Sequence, residues 1–172
     1  VLGGAGVNTI TGSASDLGDN ITGGGSNDIF QFEATDLTTK DTVAGGEGSD
    51  SIRYTADEAV ALTDFTNVTS VEVLTAAASV QITGNLGAAA DAAGIRTLTL
   101  NDDGDGDNVT VDAEFTSALT VNVDDGDNTV DASAYTGVLT AAVTEAIADA
   151  AADTHTLTGG TGTADELLVT AD

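Results

Sequence analysis

One glycine pattern returns several times along this chain, and it limits the fold more than any other feature. Gly3-Gly4-Ala5-Gly6-Val7-Asn8-Thr9-Ile10 is its first appearance and Gly23-Gly24-Gly25-Ser26-Asn27-Asp28-Ile29-Phe30 the next complete one. Gly45-Gly46-Glu47-Gly48-Ser49-Asp50-Ser51-Ile52 and Gly159-Gly160-Thr161-Gly162-Thr163-Ala164-Asp165-Glu166-Leu167 follow, and Asp19-Asn20-Ile21-Thr22 ends a partial copy. The shared form is Gly-Gly-x-Gly-x-Asp-x-U, with U a large apolar residue. Glycine lets a tight turn take φ > 0 and aim its carbonyl oxygens inward. The Asp sets a carboxylate beside them, and U points into a coil to pack on the U of neighbouring coils. Asp19 to Asp28 is nine residues, one repeat, and Asn8 to Asp28 is twenty, close to the two repeats of a full coil. A cation would sit between stacked turns.

A second repeat carries the same period. Leu98 matches Leu119 at 21 residues, Asp107-Asn108 matches Asp127-Asn128 at 20, Phe115 matches Tyr135 at 20, and Leu119 matches Leu139 at 20. That period is the length of a solenoid coil. Val109-Thr110-Val111, Leu119-Thr120-Val121, Thr129-Val130 and Leu139-Thr140 alternate as half-buried strands do. Phe115 and Tyr135 recur once per coil and are expected to stack as a core ladder. Residues 65–75 read as a strand pair and 80–83 as one more strand. Three segments, 57–62, 87–93 and 144–152, hold good helix formers, with Thr144 a possible cap. They are expected as single turns or brief helices at corners, or as loops.

Charge narrows the chemistry. The chain has 172 residues, 29 acids against 3 bases, and a formal charge of −26. Such a balance excludes nucleic acid as a partner, since nothing neutralises phosphates, and it argues against anionic membranes. No apolar run is long enough for a membrane-spanning helix. Without Cys there is no disulfide framework. With only six aromatics, against 28 Ala and 28 Thr, the packing units are small. High charge and few aromatics push toward disorder, but a hydrophobic content of 41% set in short regular runs pushes back. Carboxylates at fixed intervals need neutralising, and Ca²⁺ suits an all-oxygen donor set.

The glycine turns resemble those of the RTX family of secreted bacterial proteins, whose nonapeptides build a calcium-binding parallel β-roll. Gly45 to Ile52 is the clean match. Ser26 stands where Gly is expected, Asn8 replaces Asp, and Ala164 is inserted in the last turn, which implies fewer or weaker sites than in a long regular array. The resemblance implies metal ligation by Asn8, Asp19, Gly23, Gly25, Asp28, Gly46, Gly48, Asp50, Gly160, Gly162 and Asp165. The glycine turns cover about a quarter of the chain. In style, the whole also resembles the calcium-dependent surface-layer proteins of Gram-negative bacteria and the extender regions of large RTX adhesins.

The densest acid cluster is Asp102-Asp103-Gly104-Asp105-Gly106-Asp107. Asp103, Asp105 and Asp107 fall on every second residue, so a tight loop turns all three inward. With Asp103 as position 1, Glu114 is position 12 of an EF-hand loop, but Asn108 occupies the glycine position and no helix flanks it. A calcium-binding β-turn loop fits better; a solvated acidic turn is the plain alternative. Asp124-Asp125-Gly126-Asp127 repeats the loop one coil on, adding Asp125 and Asp127 as candidates. His155, the one histidine, cannot build a zinc site alone and reads as a surface residue. Lys40, Arg53 and Arg96 are too scattered for an anion site. No nucleophile elbow surrounds a serine, and platforms for sugars are absent, so no enzyme is expected.

The expected fold is all-β, a right-handed parallel β-solenoid with short helical corners; the alternative is an antiparallel β-sandwich of the adhesin type. Residues 1–55 read as the RTX-like part and 56–172 as a coil stack ending in an RTX turn, together an excerpt or mature piece of something longer. The expected function is a calcium-rigidified building block of a secreted, self-assembling surface layer or filament. It would work outside the cell or on its surface, with copies of itself as partners. Cell-surface polysaccharide would be held through regions outside this chain. An adhesin module and the tail of a secreted RTX enzyme are the other readings.

Overall fold

A computed structural model describes residues 1–14, 17–33, 35–101, 106–124, 126–145 and 154–171. In chain order these form β1 (Thr9–Thr11), β2 (Asn20–Gly25), β3 (Ile29–Phe32), β4 (Thr42–Glu47), β5 (Ser51–Tyr54), β6 (Glu58–Val60), β7 (Val68–Thr69) and β8 (Val73–Ala76). Then come β9 (Ile82–Leu86), α1 (Ala88–Ala93), β10 (Thr97–Leu100), β11 (Asn108–Val111), β12 (Leu119–Val123), β13 (Thr129–Asp131), β14 (Leu139–Glu145), β15 (Thr156–Thr158) and β16 (Glu166–Ala171). The strands lie in three sheets. One of eight runs β1-β3-β5-β8-β10-β12-β14-β16, one of five runs β15-β13-β11-β9-β6, and one of three runs β2-β4-β7.

Every strand pair among the described residues is parallel, and each strand lies beside the one a full coil away. The chain is a parallel β-solenoid. The antiparallel sandwich is overturned. A parallel pair needs a long return connection, and the rest of each coil supplies it.

The strands are short because the apolar runs are short. Along β3, β5, β8 and β10 burial alternates residue by residue, so each strand gives one face to the core. The register stacks the U positions into one column: Ile10, Phe30, Ile52, Leu74, Leu98, Val121, Ala141 and Leu167. All but the last are buried. Leu167, on the last described coil, is exposed.

Phe115 and Tyr135 are fully buried and meet edge to face, with centroids 6.0 Å apart and planes at 70°. The expected aromatic ladder is therefore a T-shaped pair. Tyr135 Oη donates to the carbonyls of Ser117 and Val138. Gly137 leaves room for its ring, since a methyl there would overlap it.

Several local expectations shift. Helix α1 forms within 87–93 and ends at Gly94, whose φ of 109° suits only glycine. Segment 57–62 is not helical: Glu58–Val60 is strand β6, held by β9 and buried on alternate residues. Pairing outweighs the helix preference of Glu and Ala there. Thr144 lies within β14 instead of capping a helix, and residues 146–152 are outside the described set. The strand expected at 80–83 runs Ile82–Leu86. The strands of 65–75 lie in different sheets. The second repeat is also out of step with the simple spacing: Leu98 pairs with Val121, and Val109 with Val130. Register follows the buried face, because a slip of one residue would turn every side chain over.

Candidate metal centre

The residue two places before each U forms a second column: Asn8, Asp28, Asp50, Glu72, Arg96, Leu119, Leu139 and Asp165. Its acids are linked in a ladder. Asn8 N donates to Asp28 Oδ1 at 2.7 Å, Asp28 N to Asp50 Oδ1 at 2.7 Å, and Asp50 N to Glu72 Oε2 at 2.9 Å. Leu139 N donates to Asp165 Oδ1 at 3.0 Å in the same manner. Each carboxylate thus spends one oxygen on the backbone of the coil before it.

The other oxygen decides what the column can do. Asp28 is 1% exposed and Asp50 0%, and Oδ2 of each is buried without a hydrogen-bond partner. Native proteins rarely leave such atoms unmet, and a buried carboxylate without a counter-charge is costly. Both orphan oxygens lie against glycine. A methyl on Gly23 would run into Asp28 Oδ2 and the Gly45 carbonyl oxygen; one on Gly45 would run into Asp50 Oδ2 and the Ser70 carbonyl oxygen. The space kept open by each glycine is therefore flanked by a carboxylate oxygen and by a carbonyl oxygen from the next coil. These are hard donors of the kind Ca²⁺ takes. Burial, together with the charges of Asp28 and Glu72, pushes the Asp50 carboxyl above its ordinary range. A cation beside it would reverse that.

The turn backbone fits the glycine pattern. Gly24, Gly46 and Gly48 have φ of 124°, 110° and 131°, and Ser26 takes 77° in the place of glycine. Gly46 packs on the Gly24 carbonyl and Gly48 on Ser26, whereas a methyl on Gly25 would meet the Ala5 carbonyl oxygen only at ordinary contact distance. Asn8 brings an amide to the corresponding place: its Nδ2 donates to Asp28 Oδ1 at 2.8 Å and to the Gly6 carbonyl at 2.5 Å. At the far end Gly159 lies beside Asp165 Oδ2, which repeats half of the arrangement. Gly162 lies between Asp165 and the Gly137 carbonyl, and Gly160 sits under the Tyr135 and Ala132 carbonyls.

The other candidates fall elsewhere. Asp19 is on a different corner, where its carboxylate accepts Ser13 N at 2.7 Å. Asp41, buried and unanticipated, accepts Asp19 N at 2.7 Å and the amide and hydroxyl of Thr38 at 2.6 and 2.8 Å. Both carboxylates serve as turn caps. Asp107 lies at the corner before β11, where Oδ1 accepts Ile82 N and its own amide donates to Asn128 Oδ1 at 2.8 Å. Asp127 accepts Thr154 N at 2.7 Å. Asp103, Asp105 and Asp125 lie outside the described residues. Among the described residues no three of Asp, Glu and His gather around one point. Each glycine turn therefore brings together one carboxylate and backbone carbonyls.

Sequence reasoning missed Glu72, Asn128 and Asp91. Glu72 continues the column without glycines; its only signal is its place two residues before Leu74. Asp91 pairs with Arg96 at 3.0 Å. Burial raises the Asp91 carboxyl, but hydrogen bonds from Ser117 and Thr116 outweigh this and hold it at about 2. His155, read as a surface residue, is half-buried in a cavity of about 370 Å³ with Val143, Leu157, Leu167 and Val169. No protein family, no curated protein and no solved structure matches the chain.

Proposed function

We propose that the chain is a calcium-binding structural block that stacks end to end outside the cell, in a surface layer or filament. The observation that carries this reading is the pair of buried, orphaned carboxylate oxygens of Asp28 and Asp50, each facing the space beside a glycine and a carbonyl of the next coil. Ca²⁺ is the cation that suits these oxygens, and weak sites of this type fill at the millimolar levels found outside cells. Binding to the folded chain alone adds directly to folding free energy.

End-to-end growth is supported by the open ends of the eight-stranded sheet. Among the described residues β1 and β16 are the outermost strands of that sheet, and a sheet edge can pair with another chain. Leu167, Leu168 and Val169 are 54–63% exposed at one end, and Val1, Leu2 and Val7 at least 70% at the other. The half-made arrangement at Gly159 and Asp165 lies on the same column as the first glycine turn. Gly3 of a second copy would bring the missing carbonyl.

A second reading, a calcium-stiffened adhesin module, is favoured by the outer face of the same sheet. Thr97, Thr120 and Thr140 form one row there, with Thr75 and Thr99 in the next. The test is circular dichroism with light scattering in EDTA, then on titrating Ca²⁺, with Mg²⁺ as control. A rise in β signal with growing particles is the expected result. A rise without growth favours the adhesin module, and no response to Ca²⁺ rejects the metal sites altogether.

A further inference from the structure

From β1 to β14 the outer face of the eight-stranded sheet carries no acid. Its two rows run from Thr9 to Thr140 and from Thr11 to Ala142, and neither holds an Asp or a Glu. In a chain of 29 acids and 3 bases, this is a flat surface that negative charge can approach. Threonine rows are what strands select and need no further cause. Arg53 does. It stands half-buried in the second row, with Gln31 on one side and Thr75 on the other.

Two observations single it out. Among the described residues the Arg53 guanidinium has no hydrogen bond and no ion pair, whereas Arg96 meets Asp91 at 3.0 Å. Glu33, at the rim two residues beyond Gln31, does not close on it. The Gln31 side chain in register beside it is likewise without a hydrogen bond among those residues. Two neighbouring side chains thus keep their donors for something outside the chain. A planar guanidinium takes a carboxylate by two parallel bonds, and the amide adds a third donor next to them.

Charge says where that carboxylate comes from. A second copy presents acids on exposed turns, Glu47 and Glu114 among them. Seven strands about 4.8 Å apart and roughly four residues long give the face about 400 Å², half of the roughly 800 Å² that each partner of a stable complex buries. The contact is therefore weak singly and holds where copies are already aligned, as they are in a stack. We propose that this face is the lateral contact between copies, with Arg53 and Gln31 of one chain taking a carboxylate from an exposed turn of the next. Such a contact is heterologous and continues from copy to copy. It rests on the reading of the chain as a self-assembling block, and it adds growth across the stack to growth along it.

Carbodiimide joins a lysine only to a carboxylate in contact with it, so Arg53→Lys in a mixture of unlabelled and isotope-labelled chains tests the contact. Expected in Ca²⁺ is a cross-link from position 53 to an acid of a second chain. Arg53→Gln should raise the protein concentration at which electron micrographs show side-by-side arrays by about threefold, the scale of one exposed ion pair. Lys40→Gln, the same loss of charge on another corner, should leave it unchanged, and circular dichroism of both variants should match the parent. Position 53 joined only to Glu33 of its own chain, or an unchanged threshold in Arg53→Gln, would overturn the proposal and leave end-to-end growth standing. Retention on alginate that Arg53→Gln abolishes, with no cross-link between chains, would overturn it in favour of an acidic polysaccharide. A parent that forms no particles at any Ca²⁺ concentration would remove the self-assembling reading and the proposal with it.

Discussion

The coils of residues 1–54 and those of 97–143 share a sheet and a core column, yet they close the same corner in opposite ways. In the first set the column two residues before U is Asn8, Asp28 and Asp50, and glycines keep the adjoining space open. In the second it is Leu119 and Leu139, both buried, and the Phe115–Tyr135 pair packs the nearby turns. One corner is polar, tight and short of positive charge; the other is apolar and complete in itself. A solenoid tolerates either because each coil contacts only its neighbours.

The largest expected effect separates the two regions by cation. In EDTA, amides of 20–54 should exchange with solvent far faster than those of 109–143, and Ca²⁺ should close most of the gap. A hundredfold excess over Kd would add about 2.7 kcal/mol to the bound region. Hydrogen exchange read by mass spectrometry decides it, and an equal response in both regions would break the comparison.

Next in size is Tyr135→Ala, which empties a large core position and should cost about 3–5 kcal/mol. Its two hydrogen bonds go with it. Urea unfolding should show the same loss with or without Ca²⁺, because the Phe115–Tyr135 pair is packed by apolar contact and hydrogen bonds to carbonyls. A loss that depends on calcium would mean the corners are coupled.

Asp50→Asn should change sign with the cation. In EDTA it removes a buried, repelled charge and should stabilise slightly; in Ca²⁺ it removes a ligand and should cost about 1–3 kcal/mol. Gly45→Ala should lose the calcium-dependent part of stability as well, since its methyl overlaps Asp50 Oδ2 and the Ser70 carbonyl. Gly4→Ala meets nothing within 4 Å and should be neutral. Melting temperatures of the three variants in both buffers provide the measurement.

The smallest effect is in pH. The Asp50, Glu58 and Asp64 carboxyls are raised in the fold, each by burial first. The native state therefore holds protons that the unfolded chain has released, and stability falls as pH rises through that window. In EDTA the melting temperature should rise on acidification from neutral toward the carboxylate range. Ca²⁺ should flatten or invert the slope, because it favours the ionised forms. Asp91 has the opposite sign: held at about 2, it contributes stability above the usual carboxylate value that is lost as pH falls toward 2.

Periodicity made most of the architecture legible. The glycine turns and U positions fixed the N-terminal coils, and Leu119 and Leu139 pair as their spacing of twenty implies. Register failed where loops absorb extra residues, as at Leu98, because spacing in sequence counts loop residues that the sheet does not. Segment 57–62 misled because local preference says nothing about a strand waiting a coil away. In the candidate site, Asp28 and Asp50 were visible through their motif. Glu72 lacks the motif, and the capping roles of Asp19 and Asp41 depend on partners that only the folded corner brings close.

The ladder of Asn8, Asp28, Asp50 and Glu72 has a direction. Each backbone amide in it is met by an acid that arrives one coil later, never by one already in place. Asn8 adds an uncharged amide that also donates upward, to Asp28 Oδ1. Such a column works like a fastener that can be closed from one end only: each coil in it is finished by its successor.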